Sequence, residues 1–197
     1  MKAALIDHDD SFTHNLKHWL NPLFNHVEVI NHRNFFSETE NQNYLYDVYV
    51  LSPGPKHPCD YPQTLNWLKS LDATQAVFGV CLGLQTMILS EDGLIETYSP
   101  PLHGKISNLT IHSSAEAELL NPLNNSDEVP QVARYHSLKC IDTTNQFKLL
   151  ASSKDDNIPM WFIHRTKKWM GVQFHPESFL TTQPQQHQLI LKNWLNL

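Results

Sequence analysis

Apolar and polar positions along the first eighty residues form short blocks that change period. Residues 2–6 are an apolar run suited to a buried strand, and Asp9, Asp10 and Ser11 then offer capping oxygens and negative charge to a helix beginning near Phe12. Phe12, Leu16, Trp19 and Leu20 recur at helical spacing and give that helix one apolar face. Residues 27–30 and 47–51 read as further strands, 61–71 as a helix carrying Leu65, Leu68 and Leu71, and 76–80 as a fourth strand. This alternation predicts an α/β fold: an open, mostly parallel twisted sheet with helices on both faces. Sites in such sheets form at the carboxyl ends of strands, where loops and helix N-termini converge. Two loops fall there, residues 52–58 and 81–85.

From about residue 105 to 173 the pieces become shorter and β-rich: 105–111, 131–140, 147–152, 160–164 and 169–174. They predict an antiparallel extension of the sheet. Residues 119–129, with Asn121-Pro122 and Asn124-Asn125-Ser126-Asp127, read as a surface loop or short helix. Residues 183–197 close the chain as a helix with Leu189, Ile190, Trp194 and Leu195 apolar. No repeat, low-complexity tract or Gly/Ser-rich linker divides the sequence, so residues 1–197 are expected to form one domain.

Composition narrows the function. Hydrophobic residues make up 41% and charged ones 17%, which excludes a disordered chain. The net charge is −6 and the longest basic run is Lys167-Lys168, so no nucleic acid partner is expected. The N-terminus turns acidic at Asp7, too early for a signal-peptide core, and nowhere do about 18 apolar residues run together. A cytoplasmic location with no membrane partner is the expectation. Cys59, Cys81 and Cys140 form no C-x-x-C pair, which argues against a disulfide framework or a cysteine-rich zinc site.

Glycine is scarce, six in the whole chain, so its placement is informative. Gly79-Val80-Cys81-Leu82-Gly83 puts a cysteine between two glycines directly after an apolar strand and before a helix expected at 84–89. This is the thiol form of a nucleophile elbow, in which small flanking residues let the chain turn sharply and push the middle side chain out above the sheet. The helix N-terminus there favours a thiolate, and the N–H of Leu82 is placed to bind an oxyanion. A buried, inert Cys81 is the alternative; Cys59 and Cys140 carry no such pattern and read as structural.

A thiol nucleophile needs a base and a group to orient it. Of twelve histidines, His14, His18, His26 and His32 sit in polar surroundings and read as solvated. His175-Pro176-Glu177 follows the apolar run 170–174, and Pro176 favours an extended chain in which His175 and Glu177 project to the same side. Glu177 would then fix the imidazole and stabilise its cation. A core histidine satisfied by a carboxylate is the alternative. Zinc deaminases also carry H-x-E, but they require a downstream P-C-x-x-C that this sequence lacks.

Leu51-Ser52-Pro53-Gly54-Pro55, the Cys81 elbow through Leu84-Gln85, His103-Gly104-Lys105, Arg134-Tyr135-His136-Ser137-Leu138 and Phe174-His175-Pro176-Glu177-Ser178 resemble, in order and spacing, the class I (triad) glutamine amidotransferases. The opening Asp7-His8-Asp9-Asp10-Ser11-Phe12-Thr13-His14-Asn15-Leu16 looks like the D-N-x-D-S-F-T-x-N-L start of the glutaminase subunits (component II) of anthranilate synthase and aminodeoxychorismate synthase. The resemblance covers nearly the whole chain. It implies a flavodoxin-like sheet, a Cys81–His175–Glu177 triad, oxyanion donors at Gly54 and Leu82, and glutamine held by Gly54, Pro55, Lys56, Gln85, Ser137 and Leu138. It also implies L-glutamine as substrate, a synthase component I as partner in making anthranilate or para-aminobenzoate, and no metal or organic cofactor in this chain. Helix 11–20 and the rim of the Cys81 cleft are the expected contact surfaces.

Three departures from the family pattern stand out. Lys56 stands where Gly-Pro-Gly usually ends in glycine, and its geometry is tolerable only if φ is negative there or the loop shifts. Leu84 replaces a common histidine, and Ser90-Glu91-Asp92-Gly93 replaces a paired glycine. Two other functions stay open: a γ-glutamyl or thiol hydrolase on the same fold, and a docking subunit with weak turnover.

Overall fold

The computed structural model describes residues 1–37, 45–114, 116–124, 129–141 and 143–197. Among these, strands β1 (Lys2–Asp7), β2 (His26–Asn31), β3 (Val48–Leu51) and β4 (Ala76–Val80) alternate with helices α1 (Thr13–Leu20), α2 (His32–Ser37) and α3 (Pro62–Ser70). Helix α4 (Leu82–Ser90) leaves β4 after a single residue, Cys81. There follow β5 (Leu94–Thr97), β6 (Lys105–Ile111), α5 (Asn121–Asn124), β7 (Gln131–Arg134), β8 (Leu138–Ile141), β9 (Phe147–Ser153), β10 (Pro159–His164), β11 (Trp169–Val172) and α6 (Pro184–Leu195).

The main sheet runs β2-β1-β3-β4-β11-β10-β9-β6-β7. Its first five strands are parallel, and β10, β9, β6 and β7 continue it antiparallel. Alternating residues of each parallel strand face opposite sides. Ala3, Leu5, Val48 and Val50 pack with Leu16, Trp19, Ile190 and Trp194 of α1 and α6. Ala4, Ile6, Tyr49 and Leu51 pack with Phe35, Trp67, Leu68, Leu84 and Met87 of α2, α3 and α4. Both faces are therefore dry, which is why these strands read as continuous apolar runs.

The predicted strand at 131–140 is two strands in two sheets. β7 stays in the main sheet, residues 135–137 leave it, and β8 pairs with β5, Cys140 opposite Ile95. Helix α2 and strand β5 were not legible: α2 buries only His32 and Phe35, and β5 buries none of its four residues. His32 is a correction, since it is buried and stacks on His8 at 5.5 Å, whereas His14, His18 and His26 are exposed as expected. Between 116 and 124 lie a 3₁₀ turn, Glu116–Leu120, and α5; residues 125–128 of the expected loop lie outside the described residues. Among the described residues no helix is long and apolar enough to cross a membrane.

The parallel order places the change of direction between β1 and β3, and loops at their carboxyl ends open a crevice there. Residues 8–12, 52–57, Cys81 and 173–177 all emerge at that end.

Candidate active site

Cys81 is held at the elbow by its own backbone. Its N–H donates to Val172 O at 2.8 Å and its carbonyl accepts from Gln85 N at 3.0 Å, the first bond of α4. Its φ of 51° and ψ of −103° lie outside the regions that L-residues favour. The turn closes only because the next glycine has no Cβ, which at Gly83 would lie 2.4 Å from Leu51 O. The sequence cue of a cysteine between two glycines is thus a packing requirement of β3 against α4.

Loop 52–55 is pressed onto the same helix start. A Cβ at Gly54 would meet Leu82 Cδ2 at 2.6 Å and His8 O at 2.8 Å, so the two expected oxyanion positions, Gly54 and Leu82, are packed on each other. Ser52 anchors the loop by accepting from His8 N at 2.9 Å. The Tyr61 hydroxyl donates to Pro55 O at 3.0 Å. Lys56 is exposed and has φ of 72°, so the first of the two conditions for tolerating it, a negative φ, is not met, and lysine occupies a left-handed bend that suits glycine.

Opposite the elbow, His175 leaves the end of β11 and is pinned by its N–H to Ala133 O at 3.0 Å. Its Nδ1 meets Glu177 Oε1 at 2.7 Å, with the imidazole 3% and the carboxylate 0% exposed. The contact read from the sequence is present, but not along the extended chain expected: residues 175–178 form a turn in which Ser178 N–H donates to His175 O at 3.3 Å. Burial alone favours the neutral imidazole, but the Glu177 carboxylate, with a further contribution from Cys81, raises the His175 pKa well above the ordinary histidine value. Nε2 makes no closed hydrogen bond, although the Cys81 thiol acts on the ring. Phe12 and Tyr135 pack on the ring at 5.6 and 5.0 Å and complete its enclosure.

The block at 134–138 has a structural logic that sequence reading missed. Arg134 is wholly buried and pairs with Asp156 at 3.0 Å, while its Nε–H donates to His136 Nε2 at 3.1 Å. Burial first, then the Arg134 charge, lowers the His136 pKa to about 4, so the ring is neutral at pH 7. Because Nε2 accepts, the proton sits on Nδ1, which donates to Leu138 O at 2.8 Å. The chain from Asp156 to Leu138 fixes the exposed backbone at Ser137 and the half-buried Leu138 where the substrate backbone contacts were expected. Gln85, 3% exposed on the first turn of α4, stands below Cys81. The structure thus gathers Cys81, His175, Glu177, Gly54, Leu82 and Gln85; the flanking loops carry Pro55, Lys56 and Ser137, and Leu138 begins β8 beside them. Among the described residues no group of three His, Cys, Asp or Glu could hold a metal ion.

The sequence profile of the family described as glutamine amidotransferase class-I matches residues 4–195. The chain belongs to this family. It is 33% identical to anthranilate synthase component 2 of Halobacterium salinarum over 188 residues, covering 92% of this chain and 91% of that protein. Over 197 residues it is also 33% identical to the same component of Thermococcus kodakarensis, covering 98% and 97%. The fold agrees with the crystal structure of a Thermotoga maritima glutamine amidotransferase at a TM-score of 0.69 and 14% identity, covering 100% of this chain and 83% of that one. His8, in the opening block 7–16, is wholly buried. Its Nε2 lies 3.1 Å from Thr64 Oγ1, and burial with His32 beside it lowers its pKa to about 3.

Proposed function

We propose that this amidotransferase is a glutaminase component that hydrolyses the side-chain amide of glutamine through a Cys81 thioester and passes ammonia to a chorismate-aminating synthase component I. The observation that carries the reading is the single-residue elbow at Cys81 facing a buried His175–Glu177 pair at 2.7 Å. The Cys81 sulfur attacks the amide carbon while its proton rests on His175 Nε2, the ring nitrogen with no other hydrogen-bond partner. The oxyanion forms beside the backbone N–H groups of Gly54 and Leu82, where the Leu82 side chain packs against Gly54 so closely that a Cβ there would lie 2.6 Å from it. His175 then protonates the leaving nitrogen, ammonia departs, and water attacks the thioester to give glutamate and restore the thiol. Glu177 holds the imidazole in the tautomer this shuttle needs.

Gln85, Ser137 and Leu138 grip the amino-acid end of glutamine, and Pro55 and Lys56 form the adjoining lip. A partner is required because ammonia released to water is protonated and lost to the acceptor. The component 2 relatives favour anthranilate as the product over para-aminobenzoate. The test is glutamate release by the purified chain, alone and with an anthranilate or an aminodeoxychorismate synthase component I from the same genome, with Cys81→Ser as control. A Cys81-dependent rate that rises with one partner supports the reading and names the product. Binding of both partners without hydrolysis supports a docking subunit instead, and partner-free turnover of γ-glutamyl peptides supports a hydrolase.

A further inference from the structure

One fully buried polar side chain at the site has no part in the reaction as written. Gln173 is 0% exposed at the carboxyl end of β11, two residues before His175. Its Oε1 accepts from Gln85 Nε2 at 3.2 Å and from Cys140 Sγ at 3.4 Å, and its Nε2 donates to Cys81 Sγ at 3.5 Å. One amide therefore joins the elbow cysteine, the glutamine on the first turn of α4 and a second thiol from β8.

An amide can be turned end for end, and so can its partner amide, so the Gln85–Gln173 pair alone has no preferred direction. Cys140 breaks that symmetry. It is wholly buried, and burial, with the charge of Cys81 adding to it, pushes its thiol pKa well above the ordinary value. It stays protonated and faces Gln173 as a donor. An S–H pointing at one end of the Gln173 amide requires the oxygen there, which leaves the N–H end for Cys81. With the Gln173 oxygen placed, Gln85 must direct its own N–H inward, and its carbonyl is the end left for a ligand.

Resting on the reading of Cys81 as the nucleophile, we propose that Gln173 is a positioning residue: it donates to the Cys81 sulfur and sets which end of the Gln85 amide meets the substrate, with the Cys140 thiol fixing the direction of both. The donated N–H stabilises sulfur as an anion in a place that excludes water, where such a bond counts for more than in solvent. The Gln85 carbonyl, an acceptor, suits the α-ammonium end of an amino acid rather than its carboxylate.

The test is the pH profile of Cys81 alkylation by iodoacetamide, in a Cys59→Ser background that removes the exposed thiol, followed by KM and kcat for glutamine with the synthase component present. Gln173→Leu is expected to move the midpoint of the alkylation profile up by about one pH unit, with an alkylation rate about tenfold lower on its acid side. Cys140→Val is expected to move it the same way and to raise KM for glutamine several-fold, and Cys140→Ser, which keeps an O–H donor, to restore the parent profile and KM. A purely structural role for Cys140 predicts that Val, closer in polarity to a buried thiol, is the better replacement. An unmoved profile in folded Gln173→Leu overturns the proposal. If Gln173→Leu does not fold, the Cys140 pair decides: equal profiles and equal KM for Val and Ser overturn it, and recovery by Ser alone supports it. These alkylation measurements need neither glutamine nor partner, so absence of glutamate release by the parent chain defeats the glutaminase reading separately, while an active parent with an unmoved profile defeats only the role of Gln173.

Discussion

Replacing Lys56 by glycine separates what the lip of the site costs in stability from what it does. Lys56 holds φ of 72°, in the left-handed region. An L-residue there carries a penalty of about 1–2 kcal/mol, because its Cβ crowds the following carbonyl. Glycine escapes the crowding but adds freedom to the unfolded chain, which gives back about 0.4–1 kcal/mol. The side chain is exposed, so little packing is lost with it. The balance is a gain of about 0.5–1 kcal/mol for Lys56→Gly. For a chain of this size that is roughly 1–4 °C in Tm. Lys56→Ala keeps the Cβ and removes the charge, so its Tm is expected to match the parent. The assay is thermal unfolding of the three proteins at one pH and salt concentration. A lower Tm for Lys56→Gly refutes the strain argument, and an equal gain in Lys56→Ala transfers the cause from backbone to charge. In glutaminase assays with the partner, an unchanged KM in Lys56→Gly would remove the lysine from the substrate lip.

Three further perturbations follow from the same geometry. Gly83→Ala forces a Cβ to within 2.4 Å of Leu51 O, so a loss of about 1–3 kcal/mol in urea unfolding and slower Cys81 alkylation are expected; normal values for both would mean that the elbow can open without cost. In Glu177→Gln the imidazole loses the carboxylate that raises its pKa. A raised His175 pKa stabilises the fold fully below the unfolded value near 6.5 and ceases to do so as pH rises through the folded value. The stability gap between parent and Glu177→Gln, about 1–3 kcal/mol at pH 6, should therefore narrow by pH 9, and a gap that widens with pH would contradict the assignment. His8 has the opposite sign, with a folded pKa lowered to about 3, so the unfolded chain takes up its proton first and stability falls as pH drops from 6.5 towards 3 at up to about 1.4 kcal/mol per pH unit. His8→Asn should flatten that part of the urea-midpoint profile, and an unchanged slope would place the acid sensitivity elsewhere.

What the sequence disclosed depended on how local each signal was. Strands at 2–6 and 76–80 were readable because the residues of a strand covered on both faces must be apolar. The His175–Glu177 contact was readable because the two side chains are only two residues apart, although they meet across a turn and not along an extended chain. α2 and β5 left no trace because they bury too little to impose a period. The break of 131–140 into two sheets was equally silent: both halves carry strand-forming residues, and what separates them is Arg134 turning inward to Asp156, 22 residues away. Gln173 lay within the apolar run 170–174, yet its partners Gln85 and Cys140 are 88 and 33 residues distant, and no spacing encodes that meeting. A glutamine closing an apolar strand was the one cue available, since a polar side chain at an interior position must find partners.

Burial does not by itself decide the charge of a histidine here. His8, His136 and His187 are buried and held neutral, with pKa values lowered to about 3, 4 and 3, and burial leads in each case. His175 is as deeply buried, and the Glu177 carboxylate at 2.7 Å, with Cys81 contributing, reverses the outcome. The two classes separate loss of fold from loss of chemistry on acidification. Below pH 6.5 the neutral histidines each draw the equilibrium towards an unfolded chain that can protonate them, while the His175–Glu177 pair gains nothing further, because it already holds its proton. Acid inactivation on brief exposure should therefore follow unfolding, and recover on return to pH 7 to the extent that refolding does. Activity lost at a pH where the urea midpoint is still unchanged would instead place the titration within the reacting groups themselves.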